Sequence, residues 1–302
     1  MNEILERIEK TGIVPVVVLE DAEKAVPVAK ALQAGGIDCA EVTFRTAAAE
    51  EAIGRIAAEC PSILLGAGTV LSVDKVKKAV DAGAKFIVTP GFNPSVVSYC
   101  VEHQIPVVPG CMDTNAIEMA LEMGLDTVKF FPAEAAGGLK MMKALAGPYV
   151  NLKFIPTGGV GKDNLCDYLS FRKVIACGGS WMVKGDLVRA ERYDEIERLS
   201  REAVAAMLHL RIGRIQVGSM CENPAEHADL LHSVFLTAQT EEGAEAEGCI
   251  EILTDHLERA LYHLEKQGIA FDMDTAVRDG KKMRSVDFKK KAGEFRIRLA
   301  EK

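Results

Sequence analysis

The chain has 302 residues, 48% of them hydrophobic, and a formal net charge of −8. That is enough apolar material for one large or two smaller cores. The acidic balance, with a pI near 5.4, excludes the overall basic field of a nucleic-acid binder, and no apolar run approaches the roughly 18 residues of a membrane helix.

The charged, amphipathic start Met1-Asn2-Glu3-Ile4-Leu5-Glu6-Arg7 reads as no secretory leader. Eight scattered cysteines without a CxxC pair predict reduced thiols and a cytoplasmic setting. A short helix is expected over residues 3–10. Residues 13–19 are then continuously apolar between Gly12 and Glu20, as in strands buried on both faces of a parallel sheet. Asp21 suits the N-cap of a helix that stops at Gly35-Gly36. Further strands are expected at 40–44, 63–66, 86–89, 107–109, 127–130, 154–156 and 174–176. Helices are expected at 47–58, 73–82, 94–102, 115–123, 138–145 and 193–208. Eight alternating units predict an α/β class and a closed (β/α)8 TIM barrel over residues 1–208. A doubly wound open sheet is the alternative, but it expects a glycine-rich turn after the first strand, and Glu20-Asp21-Ala22-Glu23 stands there. Beyond residue 208 the charge segregates into an acidic stretch, 241–251, and a basic one, 281–291. Strand-like runs at 212–217, 249–253 and 294–299 alternate with helices at 224–236 and 255–267. These predict a small α+β extension over residues 209–302.

Barrel enzymes carry their chemistry at the C-terminal ends of the strands. There the second strand reads Glu41-Val42-Thr43-Phe44-Arg45, whose alternation puts Glu41, Thr43 and Arg45 on one side. The sixth reads Thr127-Val128-Lys129-Phe130-Phe131-Pro132 and sets a lysine inside an apolar run. Such a lysine is either the partner of a carboxylate in a structural network or a Schiff-base nucleophile. Burial disfavours an ammonium and makes a free amine available nearer neutral pH. An amine that adds to a ketone forms an iminium, which lets the neighbouring carbon–carbon bond break to an enamine. That route needs proton shuttles but no metal and no other cofactor, and Glu41 is the carboxylate available at the mouth. The ends of the seventh and eighth strands read Pro156-Thr157-Gly158-Gly159 and Gly178-Gly179-Ser180-Trp181. Paired glycines let successive N–H groups approach an anion, and the loops after strands seven and eight are where such barrels bind phosphate.

With those residues placed, residues 1–208 resemble the 2-keto-3-deoxy-6-phosphogluconate aldolase family, also called 4-hydroxy-2-oxoglutarate aldolases. The resemblance rests on Glu41-Val42-Thr43-Phe44-Arg45-Thr46, Gly66-Ala67-Gly68-Thr69-Val70, Pro90-Gly91, Lys129-Phe130-Phe131-Pro132-Ala133-Glu134 and the two glycine motifs. It implies Lys129 as the Schiff-base lysine and Glu41 as general acid/base. Arg45 and Thr69 would lie near the carboxylate of the keto acid, Pro90 and Phe131 would shape the pocket, and Gly158, Gly159, Gly179 and Ser180 would hold the phosphate. It also implies a small-molecule keto-acid substrate and a homotrimer. Phe44, residues 111–114 and Ala136 depart from the usual pattern, so the choice of substrate stays open.

The tail faintly resembles the vicinal-oxygen-chelate (glyoxalase-like) extension fused to some aldolases of this family. The metal-ligand histidines of catalytic members would fall near Arg214 and Cys249, which are poor ligands. A metal-free extension serving assembly or regulation is therefore expected. Two rival functions are a metal-dependent phosphate-sugar epimerase, for which His and Asp ligands at strand ends are scarce, and a silent barrel whose tail binds a partner or effector.

Overall fold

In the computed structural model, which describes residues 2–216, 248–293 and 295–302, short polar caps set the helix starts. Asn2 caps α1 (Glu3–Thr11) by accepting from the Leu5 amide, and Ser72 caps α4 (Val73–Asp81). Asn93 caps α5 (Pro94–Glu102), with proline in its first turn, and Asp113 caps α6 (Thr114–Glu122). Each cap satisfies amides that have no partner within the helix. The chain divides into two units, Met1–Met207 and Leu208–Lys302.

The first unit alternates strands and helices. Its strands are β1 (Ile13–Val17), β2 (Cys39–Thr43), β3 (Leu64–Gly68), β4 (Phe86–Val88), β5 (Val107–Val108), β6 (Thr127–Phe130), β7 (Lys153–Pro156) and β8 (Cys177–Gly179). The other helices are α2 (Ala25–Ala34), α3 (Ala49–Glu59), α7 (Gly138–Ala146), α8 (Leu165–Ser170), α9 (Gly185–Arg189) and α10 (Tyr193–Leu208). Asp21 caps a single 3-10 turn, Ala22–Lys24, that leads into α2. One sheet runs β5-β4-β3-β2-β1-β8 and a second pairs β6 with β7, and every pairing is parallel. Single parallel bridges link Gly110 to Lys129, Phe154 to Val174 and Thr157 to Gly178. The unit is thus an α/β fold on parallel strands. All five residues of β1, β2 and β3 are buried, as the continuous apolar runs require. From α1, Leu5 and Ile8 join a core made with Val14, Cys39, Phe86, Val108 and Ile155. Fully burying a side chain such as Ile8 is worth about 1.5–3 kcal/mol.

The eighth strand departs from expectation. The apolar triplet Val174-Ile175-Ala176 leads up to it, and the strand itself is Cys177-Gly178-Gly179, in register with Ile13, Val14 and Pro15. Glycine reads as a loop residue in a sequence. Here a Cβ on Gly178 would overlap the hydroxyl of Thr157, so glycine is what lets the neighbouring strand end come close. The short helices α8 and α9 were also unexpected; six and five residues give too little periodicity to read.

The second unit is a mixed five-stranded sheet in the order β11-β12-β13-β10-β9. Its strands are β9 (Arg211–Gln216), β10 (Cys249–Thr254), β11 (Phe271–Asp279), β12 (Lys282–Phe288) and β13 (Arg296–Glu301), and its helix is α11 (Leu257–Lys266). β10 and β13 run parallel and the other pairs antiparallel. The β11–β12 hairpin was not expected: β12 falls in the stretch read as basic, and β11 is mostly exposed and does not alternate. Its Asp279-Gly280 turn, with Gly280 at φ 59°, is the one signal that could have found it. The expected helix at 224–236, with His227 and His232, lies outside the described residues, as do Cys221 and most of the acidic stretch. No helix among the described residues is long and apolar enough to cross a membrane.

Candidate active site

β2 and β6 bring their inward side chains together across the first unit. The Lys129 amine donates to Glu41 Oε1 at 3.2 Å, with side-chain exposures of 7% and 4%. The two residues are 88 positions apart in sequence. A small space of about 10 Å³ is lined by the pair together with Ile8, Val14, Phe86, Val88, Val108, Ile155 and Thr157. That is room for about one water. The pair therefore sits against apolar walls, where a charge interaction is stronger than in water and an unpaired charge costs more. Phe131 follows β6 and presents its ring 5.4 Å from the Lys129 nitrogen.

The other candidates fall around this pair. Arg45 lies two residues beyond β2, exposed, and its Nε donates to the Thr69 hydroxyl at 3.4 Å. Thr69 follows β3 directly and holds φ at 55°, a left-handed conformation that a β-branched residue adopts only at a cost of about 1–3 kcal/mol. It is kept there between the paired end of β3 and Val70, whose amide donates to the Val88 carbonyl at 3.3 Å. Pro90 lies two residues beyond β4, half-buried, and its carbonyl lies where a Cβ on Gly110 would fall. After β7, Gly158 and Gly159 take φ values of 96° and 83°, open to glycine and strained for other residues. Gly158 abuts the Phe131 ring, and Gly159 abuts the side chain of Glu134. Gly179 ends β8 and Ser180 follows it, exposed. The Thr157–Gly178 bridge makes the ends of β7 and β8 neighbours.

Two features go beyond what the sequence reading placed, though Thr43 was already set on the same side as Glu41. The Tyr168 hydroxyl on α8 donates to Glu134 Oε1. Burial, followed by that hydrogen bond, pushes the phenol well above its ordinary range. Glu134 closes the lysine motif, so one end of this contact was already in view; the helix carrying the other was not. The second is Thr43, which is fully buried with a hydroxyl that has no hydrogen-bond partner among the described residues. In the second unit Arg214 and Cys249 lie on paired strands: Arg214 stands opposite Glu251, and Cys249 is buried opposite Gln216.

Parallel α/β strands that hold a buried amine against a carboxylate suit a lysine-dependent carbon–carbon lyase. The family model for KDPG and KHG aldolases matches residues 4–199, and the chain belongs to that family. A 2-dehydro-3-deoxy-phosphogluconate aldolase of Treponema pallidum is 50% identical over 204 residues, which is 68% of this chain and 97% of that protein. A KHG/KDPG aldolase of Escherichia coli K12 is 44% identical over 200 residues, 66% of this chain and 94% of its own length. Among solved structures, a KDPG aldolase from Legionella pneumophila with pyruvate captured as a covalent carbinolamine superposes with a TM-score of 0.65 at 35% identity. It covers 67% of this chain and 98% of that one.

Proposed function

We propose that this chain is a class I aldolase that cleaves 2-dehydro-3-deoxy-6-phosphogluconate to pyruvate and glyceraldehyde 3-phosphate, and that also accepts 4-hydroxy-2-oxoglutarate, giving pyruvate and glyoxylate. The observation that carries the reading is the buried Lys129–Glu41 pair at 3.2 Å. The Lys129 amine adds to the C2 ketone, the carbinolamine loses water, and an iminium remains. Loss of the C4 hydroxyl proton breaks the C3–C4 bond, with the electron pair drawn toward the iminium. An aldehyde leaves and the enamine of pyruvate stays on Lys129. Protonation at C3 and hydrolysis then release pyruvate. Glu41 stands beside the reacting nitrogen and serves as general acid and base, a role worth about 10²–10⁴ in rate.

Arg45 and Thr69 hold the keto-acid carboxylate, Pro90 and Phe131 wall the pocket, and Gly158, Gly159, Gly179 and Ser180 cradle the phosphate. The contact between Arg45 and Thr69 and the left-handed glycines after β7 support these assignments. The bridges from Gly110 to Lys129 and from β7 to Gly178 support a closed (β/α)8 barrel over residues 1–208. The enzyme works in the cytoplasm as a homotrimer. The small extension, residues 209–302, is a glyoxalase-like remnant that acts in assembly or regulation without a metal.

Borohydride reduction in the presence of pyruvate, followed by peptide mapping, tests the chemistry: the adduct is expected on Lys129. An adduct elsewhere, or none, sinks the reading. Turnover of the phosphorylated substrate beside 4-hydroxy-2-oxoglutarate ranks the two substrates.

A further inference from the structure

Thr43 ends β2 on the same side as Cys39, which packs in the inner core, and Glu41, which meets Lys129. Alternation therefore aims its side chain inward. It is completely buried, and its hydroxyl makes no hydrogen bond among the described residues. Most buried polar side-chain atoms find a partner, and leaving one without costs about 1–3 kcal/mol. An orphan hydroxyl two residues along the strand face from Glu41 is thus an exception that needs a cause.

The position of Glu41 supplies one. A Cβ placed on Gly68 would overlap Glu41 Oε1, so the carboxylate leans over Gly68. Gly68 is the register partner of Thr43 on the neighbouring strand. The carboxylate has therefore already risen from its own level on β2 to the level of Thr43. Two residues on one strand face are about 6.6 Å apart along the strand, and a glutamate leaning that way reaches a hydroxyl two positions on by rotation of its side chain. In the resting site the carboxylate is turned to Lys129 instead.

That arrangement cannot last through the reaction. A free lysine ammonium has three N–H donors. Once its nitrogen is bonded to the keto carbon as an iminium, one N–H remains and its direction is fixed by the substrate. A buried carboxylate that loses its partner must find another or pay heavily. A threonine hydroxyl can donate to the carboxylate and accept from the carboxylic acid, so it serves Glu41 in both protonation states.

We infer that Thr43 is a positioning residue: its hydroxyl takes over the Glu41 carboxyl when Lys129 becomes an imine, and holds it where it moves protons on the bound keto acid. This rests on Lys129 forming an imine, and pyruvate trapping on the native chain tests that premise before any variant is made.

Thr43→Val keeps the shape and removes the hydroxyl; Thr43→Ser keeps the hydroxyl. Three readouts are compared: borohydride trapping of pyruvate, solvent deuterium exchange into the pyruvate methyl group, and turnover. Thr43→Val is expected to trap pyruvate as the native chain does, which also reports that it folds. Its methyl exchange and kcat should both fall about tenfold with KM little changed, and Thr43→Ser should stay within about twofold of native. Native exchange in Thr43→Val overturns the inference. So does equal loss in both variants, or a Thr43→Val that no longer traps, since either would assign Thr43 to packing.

Discussion

Each unit buries a carboxylate against a cation, and the two do so in opposite ways. In the second unit Asp287 is saturated: Arg296 donates to Oδ2 at 2.8 Å, and Arg298 donates to Oδ1 at 2.7 Å and to Oδ2 at 3.4 Å. In the first, Glu41 accepts from Lys129 alone among the described side chains, at 3.2 Å. Arginine forks match a carboxylate and are not deprotonated in proteins, whereas a lysine can give up its proton and become a nucleophile. The Asp287 network is over-determined and chemically inert, as a structural ion cluster should be. The Lys129–Glu41 pair is under-determined, with a spare hydroxyl at Thr43 and a strained Thr69 nearby. Burial of charge alone does not separate a site from a strut; the choice of cation and the number of unfilled hydrogen bonds do.

The comparison breaks most easily at the lysine. Lys129→Ala is expected to lower turnover by at least about 10³ and to abolish borohydride trapping of pyruvate, because the nucleophile is lost. A trapped adduct in that variant would show that the amine is elsewhere. Next comes the anion cradle. Gly159→Ala sets a Cβ against Glu134 at a φ of 83°, so KM for the phosphorylated substrate should rise about tenfold. The smaller hydroxy-keto diacid should be little affected; an equal rise for both would mean that the turn shapes the whole pocket.

Asp287→Asn tests the other side of the comparison. It leaves two guanidinium groups facing a neutral amide, and should destabilise the chain by about 2–3 kcal/mol in denaturant titration, less than a fully dry pair because Arg298 keeps 27% exposure. Turnover at 25 °C should hold; if it falls in step, the two ion clusters are not functionally separate. The smallest effect concerns thiols. Burial, with Asp113 nearby, pushes the Cys111 thiol from about 9.0 up to about 12, and burial pushes Cys100 up to about 11. Among the described cysteines Cys166 is the exposed one, so a thiol reagent at pH 8 should label it ahead of the other described ones. The sign of the pH dependence follows from the raised values. Both buried thiols are protonated below the ordinary thiol range, where their contribution to stability is intact. That contribution is lost as pH rises from about 9 toward 11 and 12, which thermal melts between pH 8 and 11 would register.

Much of the first unit was legible from local pattern. The strand at 127–130 and the helices at 94–102 and 193–208 match their expected bounds, since each carries a strong period or a clear cap. The hairpin of the second unit was not legible, because its edge strand β11 is mostly exposed and does not alternate. Neither was the register of β8, which is decided by pairing with β1 and by the close approach of Thr157 at Gly178.

The sequence by itself determined the alternation of strands and helices, the family, and a lysine in an apolar strand with a carboxylate among its candidate partners. These follow from spacing along the chain, which local sterics and hydrophobic period translate directly. Only the tertiary structure decided that Glu41 and Lys129, 88 residues apart, meet at 3.2 Å. The same holds for the carboxylate leaning over Gly68 and for the hydroxyl of Thr43 left without a partner. Those facts depend on which strands become neighbours and at what register, and no residue carries that information alone.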